Sequence, residues 1–163
     1  MIKTYNLIAS RIKKEINELE TVCSRAEQAL VAAENNPSDQ DFYFDSAALS
    51  LHDLYTGLER IFLFITAHLE EDIPQGKDWH RELLYQMQLE IKGIRPAVLS
   101  DQAITCLDEY LRFRHVLRNV YNFSLQPERI SNLVKNIRKT FELVESELVE
   151  FANFLENLDQ SDT

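Results

Sequence analysis

The chain has 163 residues, 45% of them hydrophobic and 27% charged, with a formal net charge of −10. A chain of this length suits one ordinary domain, buries roughly 70% of its extended surface and needs no staples. Three glycines and four prolines exclude turn-rich all-β folds and long disordered tracts, and the negative total argues against a non-specific nucleic-acid binder, which carries a basic surface.

Pro37, Pro74, Pro96 and Pro127 each sit in a polar or turn-like context. Proline removes a backbone donor and clashes with the preceding turn, so these positions mark helix boundaries. The first segment, from about Thr4 to Asn35, places Tyr5, Ile8, Ile12, Ile16, Leu19, Cys23, Ala26, Leu30 and Ala33 on one helical stripe. The second, from about Asp41 to Glu70, steps by three and four through Phe44, Ala47, Leu51, Leu54, Leu58, Ile61 and Ile65. Tyr55, Phe62 and Leu69 widen that stripe, so this helix is expected to be buried on two sides.

A short helix is expected near residues 78–92, opened by Asp78, and a fourth helix begins after Ser100. The last segment, Pro127 to about Leu158, carries Val134, Ile137, Phe141, Val144, Leu148, Phe151, Leu155 and Leu158 in one unbroken alternation, with Pro127 suited to a first helical position. The fold expected is all-α: an up-and-down bundle of four long helices plus one short helix, in a single domain over residues 1–163. A short acidic tail is expected at about 159–163.

Cys23 and Cys106 make neither a disulfide framework nor a ligand cluster and read as small core residues. No eighteen-residue apolar stretch exists, and Met1–Tyr5 lacks the features of a signal peptide. A reduced, cytoplasmic protein without membrane attachment is therefore expected. No histidine pair has the spacing of a helical zinc site, and the three glycines are isolated. Neither metal nor cofactor is indicated. His52, His68 and His80 read as packing, interface or helix-end residues, and Glu59 and Arg60 as intrahelical neighbours.

The charge is segregated. Residues 111–140 hold Arg112, Arg114, Arg118, Arg129, Lys135, Arg138 and Lys139 against Glu128 alone, a local charge of +6, whereas the chain from Phe141 onward has seven acids and no lysine or arginine. Such an island can be a solvated face paired with neighbouring acids. It can also be an anion site, and five arginines to two lysines lean towards phosphate, which suits arginine's planar fork. Within it, Tyr110-Leu111-Arg112-Phe113-Arg114-His115-Val116-Leu117-Arg118-Asn119-Val120-Tyr121-Asn122-Phe123 interleaves basic and aromatic residues, a pattern able to grip phosphate and stack a base. On a continuous helix Arg114 and Tyr121 share nearly one face, Arg118 lies about 40° from Arg114, and Asn119 points away.

This segment resembles the HepT-like branch of the HEPN superfamily, small α-helical proteins that include ribonuclease toxins. Their signature is an arginine, a polar residue, three further residues and a histidine, followed in HepT proteins by one more residue and a tyrosine. Here Arg114, His115, Asn119 and Tyr121 fall on it. The stretches Gly57–Phe62, Trp79–Met87, Arg95–Leu99 and Pro127–Arg129 resemble that branch in the same order, so the likeness covers roughly residues 40–135.

The resemblance implies a metal-independent ribonuclease whose two motifs meet across a symmetric homodimer. The RNA 2′-hydroxyl attacks the adjacent phosphodiester, arginine stabilises the charged phosphorane, and histidine moves the proton. It implies Arg114 as a catalytic residue, with Arg112, Arg118 and Arg129 beside it as phosphate or RNA contacts. It also implies a nucleotidyltransferase antitoxin that adds AMP to the motif tyrosine, Tyr121.

Asn119 departs from the pattern, standing where the motif has histidine. An amide does not titrate near neutral pH, so cleavage is expected to be attenuated. His115 is a substitute in residue type but points about 100° away on a regular helix. Two readings follow: an attenuated ribonuclease toxin under a nucleotidyltransferase antitoxin, or a non-catalytic member that binds such a partner or RNA.

Overall fold

The computed structural model describes residues 2–121 and 124–161. Met1, Asn122, Phe123, Asp162 and Thr163 lie outside the described residues, as do the side-chain surroundings of residues 2, 3 and 159–161. The described residues form an all-α bundle of six helices: α1 (Ile2–Asn35), α2 (Gln40–Ile65), α3 (Trp79–Gln86), α4 (Asp101–Asn119), α5 (Pro127–Lys135) and α6 (Ile137–Ser161). Among them no helix is long and apolar enough to cross a membrane.

Helix α1 buries the stripe read from its sequence, Ile8, Ile12, Ile16, Leu19, Cys23, Ala26, Leu30 and Ala33, and packs chiefly on α2 and α6. The central helix is α2, which touches α1, α3, α4 and α5. Both of its apolar sides are covered: Ala47, Leu51, Leu54, Leu58, Ile61 and Ile65 on one, Tyr55 and Phe62 on the other. The α1–α2 approach is close at Gly57, where a Cβ would meet the Leu19 Cδ2 at 2.5 Å.

The expected extent of the second helix is reached by a change of winding. Thr66–Glu70 form a turn of π-helix, closed when Glu71 N–H donates to the Thr66 carbonyl at 2.9 Å, with Glu71 left-handed at φ 59°. The turn ends with Glu70 against Arg95, whose side chain is fully buried. Arg95 Nε donates to Glu70 Oε1. Its Nη1 donates to the Leu89 carbonyl at 2.6 Å and its Nη2 to the Gln86 carbonyl at 3.1 Å.

These bonds explain why the short helix stops at Gln86 rather than near 92. The carbonyls that helical continuation would use are taken: Arg95 binds those of Gln86 and Leu89, and the Met87 carbonyl accepts from Val98 and Leu99. Helix α4 then starts at a Ser100 cap, whose Oγ accepts from Ala103 N–H at 3.2 Å. Ser100 is itself tied to α6, donating N–H and Oγ–H to the two Glu147 oxygens, each at 2.7 Å.

The last expected helix is two. Asn136, at φ −98° and ψ −2°, separates α5 from α6. Its side chain donates back to the Asn132 carbonyl at 2.9 Å, which also accepts the Asn136 N–H at 3.2 Å, so a side-chain bond competes for that carbonyl where the winding changes. The apolar stripe crosses the break intact, with Val134, Ile137, Phe141, Val144, Leu148, Phe151 and Leu155 all buried. Helix α6 runs on to Ser161, through part of the stretch read as an acidic tail; the rest of that stretch lies outside the described residues.

Burial pushes the Cys23 thiol up to about 12, which leaves it protonated at neutral pH and unreactive. Iodoacetamide at pH 8 is expected to label the half-buried Cys106 in the native protein and Cys23 only after denaturation, as peptide mass mapping would read. Gly57→Ala is expected to cost about 1–3 kcal/mol through overpacking, measured by urea unfolding.

Candidate functional site

The chemistry gathers where α2, α3 and α4 meet. On the second buried face of α2, Tyr55, Glu59 and Phe62 follow one another at helical spacing. Glu59 therefore occupies a core position, at 5% exposure. A lone carboxylate there would be costly, and both of its oxygens are engaged. Arg114 of α4 donates from Nη1 to Glu59 Oε1 at 2.9 Å. His80, at the start of α3, places Nδ1 at 2.7 Å from Glu59 Oε2.

Arg114 is buried as well, at 8% exposure, with its guanidinium carbon 5.7 Å from the Tyr55 ring centroid. Its Nε and the Tyr55 hydroxyl are buried without a hydrogen-bond partner among the described residues. Burial first, and the nearby Glu59 charge second, raise the ionisation of Tyr55 far above the ordinary phenol range, so it remains neutral. The Trp79 ring lies against the His80 imidazole at 3.6 Å between centroids.

A second carboxylate works in the same way nearby. Asp108 Oδ1 accepts from Arg81 Nη1 at 2.9 Å and from the Tyr85 hydroxyl at 3.2 Å. Its Oδ2 takes Arg112 Nε at 2.8 Å, one helical turn on. Two buried acids thus fix a set of cations whose outer faces border one open cleft of about 750 Å³. Lys77, Arg81, Arg112, Arg114, Arg118 and Arg129 line it against Asp78 as its one acid, with His80, His115 and Asn119 also on the wall. Such a concentration of positive charge, backed by low-dielectric protein, attracts anions. The adjoining groove, about 450 Å³, shares Arg112 and Arg129 but also carries Glu109 and Glu128, which makes it the poorer anion site.

The residues singled out from sequence therefore separate. Arg112, Arg114, Arg118, Arg129, His115 and Asn119 come to the one cleft. Arg129 also stacks its guanidinium over Phe113, 5.8 Å from the ring centroid. Arg138 takes the plainer course, bridging Glu20 and Glu27 of α1, while Lys135 and Lys139 are exposed.

Tyr121 does not share a helical face with Arg114. Helix α4 ends at Asn119, and Val120 is extended at φ −131° and ψ 157°. Tyr121 is 75% exposed and is not among the described residues that line the cleft. Asn119, expected to point away, lies on that wall because it closes the helix end, its Nδ2 donating to the His115 carbonyl at 2.7 Å. Asn122 and Phe123, which complete the segment read as a possible base-stacking surface, lie outside the described residues.

Sequence reasoning tied Glu59 to the site only through the family resemblance of its stretch, gave His80 and Arg81 no role of their own, and missed Lys77. One signal was present: Glu59 is a charge at a core position of a helix apolar on two sides. For His80 and Arg81 only the three-helix packing reveals the placement.

A family model described as HepT-like protein matches residues 46–155 of the chain. No curated protein and no solved structure is a match.

Glu59→Gln removes the charge that Arg114 answers and is expected to destabilise the fold by about 3–5 kcal/mol in chemical denaturation, because a buried cation is left uncompensated. Arg114→Met in the Glu59→Gln background should recover part of that loss; a strictly additive double mutant would contradict the pairing.

Proposed function

The chain belongs to the HepT-like protein family, a branch of the HEPN superfamily, and from that premise we propose that it is the toxin component of a toxin–antitoxin pair: a metal-independent RNA endonuclease of attenuated activity, working as a homodimer in the cytoplasm. The observation that carries this reading is the cationic cleft around Arg114, whose guanidinium is fixed by Glu59. A phosphodiester in that cleft meets arginines already held in place, the condition under which electrostatic stabilisation of a phosphorane is large. Arg112, Arg118 and Arg129 extend the same charge along the strand's path.

Attenuation follows from Asn119. Its amide does not titrate near neutral pH and is spent on the His115 carbonyl, so the proton transfer assigned to the motif position is missing. Control by a nucleotidyltransferase antitoxin is part of the proposal. Tyr121 is well placed for it by its exposure beyond the helix end, where a partner enzyme can reach the phenol without opening the core.

A second reading rests on the same asparagine: a non-catalytic member that binds RNA or the nucleotidyltransferase without cutting. Cleavage of single-stranded RNA separates the two. The wild type is expected to cleave weakly, Asn119→His to cleave faster, by at most about the 10²–10⁴-fold that general acid–base assistance is worth, and Arg114→Ala to lose cleavage. Tight RNA binding with no cleavage by the wild type supports the second reading. Strong wild-type cleavage that survives Arg114→Ala overturns the assignment of the site. Incubation with the partner nucleotidyltransferase and ATP is expected to add one AMP to the wild type and none to Tyr121→Phe, read by intact mass.

A further inference from the structure

Proton transfer in the cleft need not depend on position 119. His80 sits on the same wall as Arg114 and Asn119 but comes from α3, outside the motif segment. Its side chain is 26% exposed, so it is neither a core residue nor freely solvated. Nδ1 bonds the Glu59 carboxylate at 2.7 Å, and the Trp79 ring supports one side of the imidazole. A carboxylate that accepts from one ring nitrogen fixes the tautomer and the orientation of the ring. With Nδ1–H given to Glu59, Nε2 is the basic nitrogen, and no described residue bonds it.

The same carboxylate holds Arg114 through its other oxygen. One acidic group therefore positions both a phosphate-binding cation and a titratable base at one cleft. His115 also reaches the wall, but no described side chain orients its imidazole.

We propose that His80 is the catalytic acid–base of this protein, in an Arg114–Glu59–His80 arrangement that replaces the histidine absent at Asn119. This rests on the ribonuclease reading above. His80 Nε2 takes the proton of the RNA 2′-hydroxyl as O2′ forms its bond to phosphorus. The P–O5′ bond breaks, and the imidazolium returns that proton to the departing O5′. The products are a 2′,3′-cyclic phosphate and a 5′-hydroxyl, with no co-reactant and no net change in protons. Arg114 holds the equatorial oxygens, and Glu59 is a positioning residue that orients the two groups without touching RNA.

The test is initial-rate cleavage of a single-stranded RNA oligonucleotide by the full chain, with circular dichroism and thermal melting to confirm the fold. His80→Ala and His80→Gln are each expected to lower the wild-type rate about 10²-fold or more. The glutamine keeps a polar side chain of similar length that cannot carry a proton to and from RNA, so with the fold confirmed its loss of rate reports proton transfer rather than lost bulk. Imidazole in the buffer should restore His80→Ala and leave Arg114→Ala inactive. His115→Ala should stay close to wild type. The double variant His80→Ala with Asn119→His should cleave, since the motif histidine then supplies the proton transfer.

Full activity in His80→Ala or His80→Gln overturns the assignment while leaving the ribonuclease reading intact. A silent wild type beside an active Asn119→His also overturns the assignment, and it favours the non-catalytic reading of the natural chain. Silence in every variant, Asn119→His included, overturns the ribonuclease reading and the role of His80 with it.

Discussion

The organising interaction is the buried Glu59 carboxylate. It sits on the central helix, among aromatic and aliphatic neighbours, where an unpaired charge would cost several kcal/mol. The fold answers that cost from two directions, with Arg114 on α4 and His80 on α3. Three helices are thereby brought to a common point by one charged group. Apolar packing alone tolerates sliding and substitution; a buried ion pair with one oxygen for each partner does not, since a shifted helix strands a charge.

Two other buried charges complete the frame. Arg95 draws the carbonyls of the α3–α4 connection onto itself and ties them to Glu70 at the end of the π turn. That ends α3 early, at Gln86. Asp108 then holds Arg81 of α3 and Arg112 of α4, both of which line the cleft. At Asp108, as at Glu59, an acid behind the cleft wall orients cations that line it. This is how a chain with net charge −10 presents a focused cationic cleft: its acids serve as anchors behind the wall or lie on other faces, as Glu147 and Glu156 of α6 do. An acidic body with one basic cleft disfavours indiscriminate nucleic-acid coating and favours a local phosphate contact.

The end of α4 divides the site's chemistry. Up to Asn119 the helix delivers side chains to the cleft; beyond it Val120 is extended and Tyr121 is exposed. Phosphate binding and tyrosine modification are therefore proposed for neighbouring but separate surfaces. Electrostatic stabilisation and proton transfer also separate, since the arginines need no motif histidine in order to grip an anion.

The sequence by itself determined the all-α bundle, because a repeat of apolar residues at three and four fixes which face of each helix leaves water, whatever the partner. It determined the start of α4 at Ser100, since capping is a local matter, and it marked Arg112, Arg114, Arg118 and Arg129 as one basic group. It did not reveal the break at Asn136, across which the apolar stripe runs unbroken, nor the early stop of α3, which depends on Arg95 nine residues away. By their residue types it gave Glu59 and His80 no part beyond packing or pairing, and only the family resemblance tied the Glu59 stretch to the site, because their meaning lies in each other's position. Only the tertiary structure decided that these two, separated by 21 residues, share a cleft with Arg114, because a charge buried between helices must find its partners across space rather than along the chain.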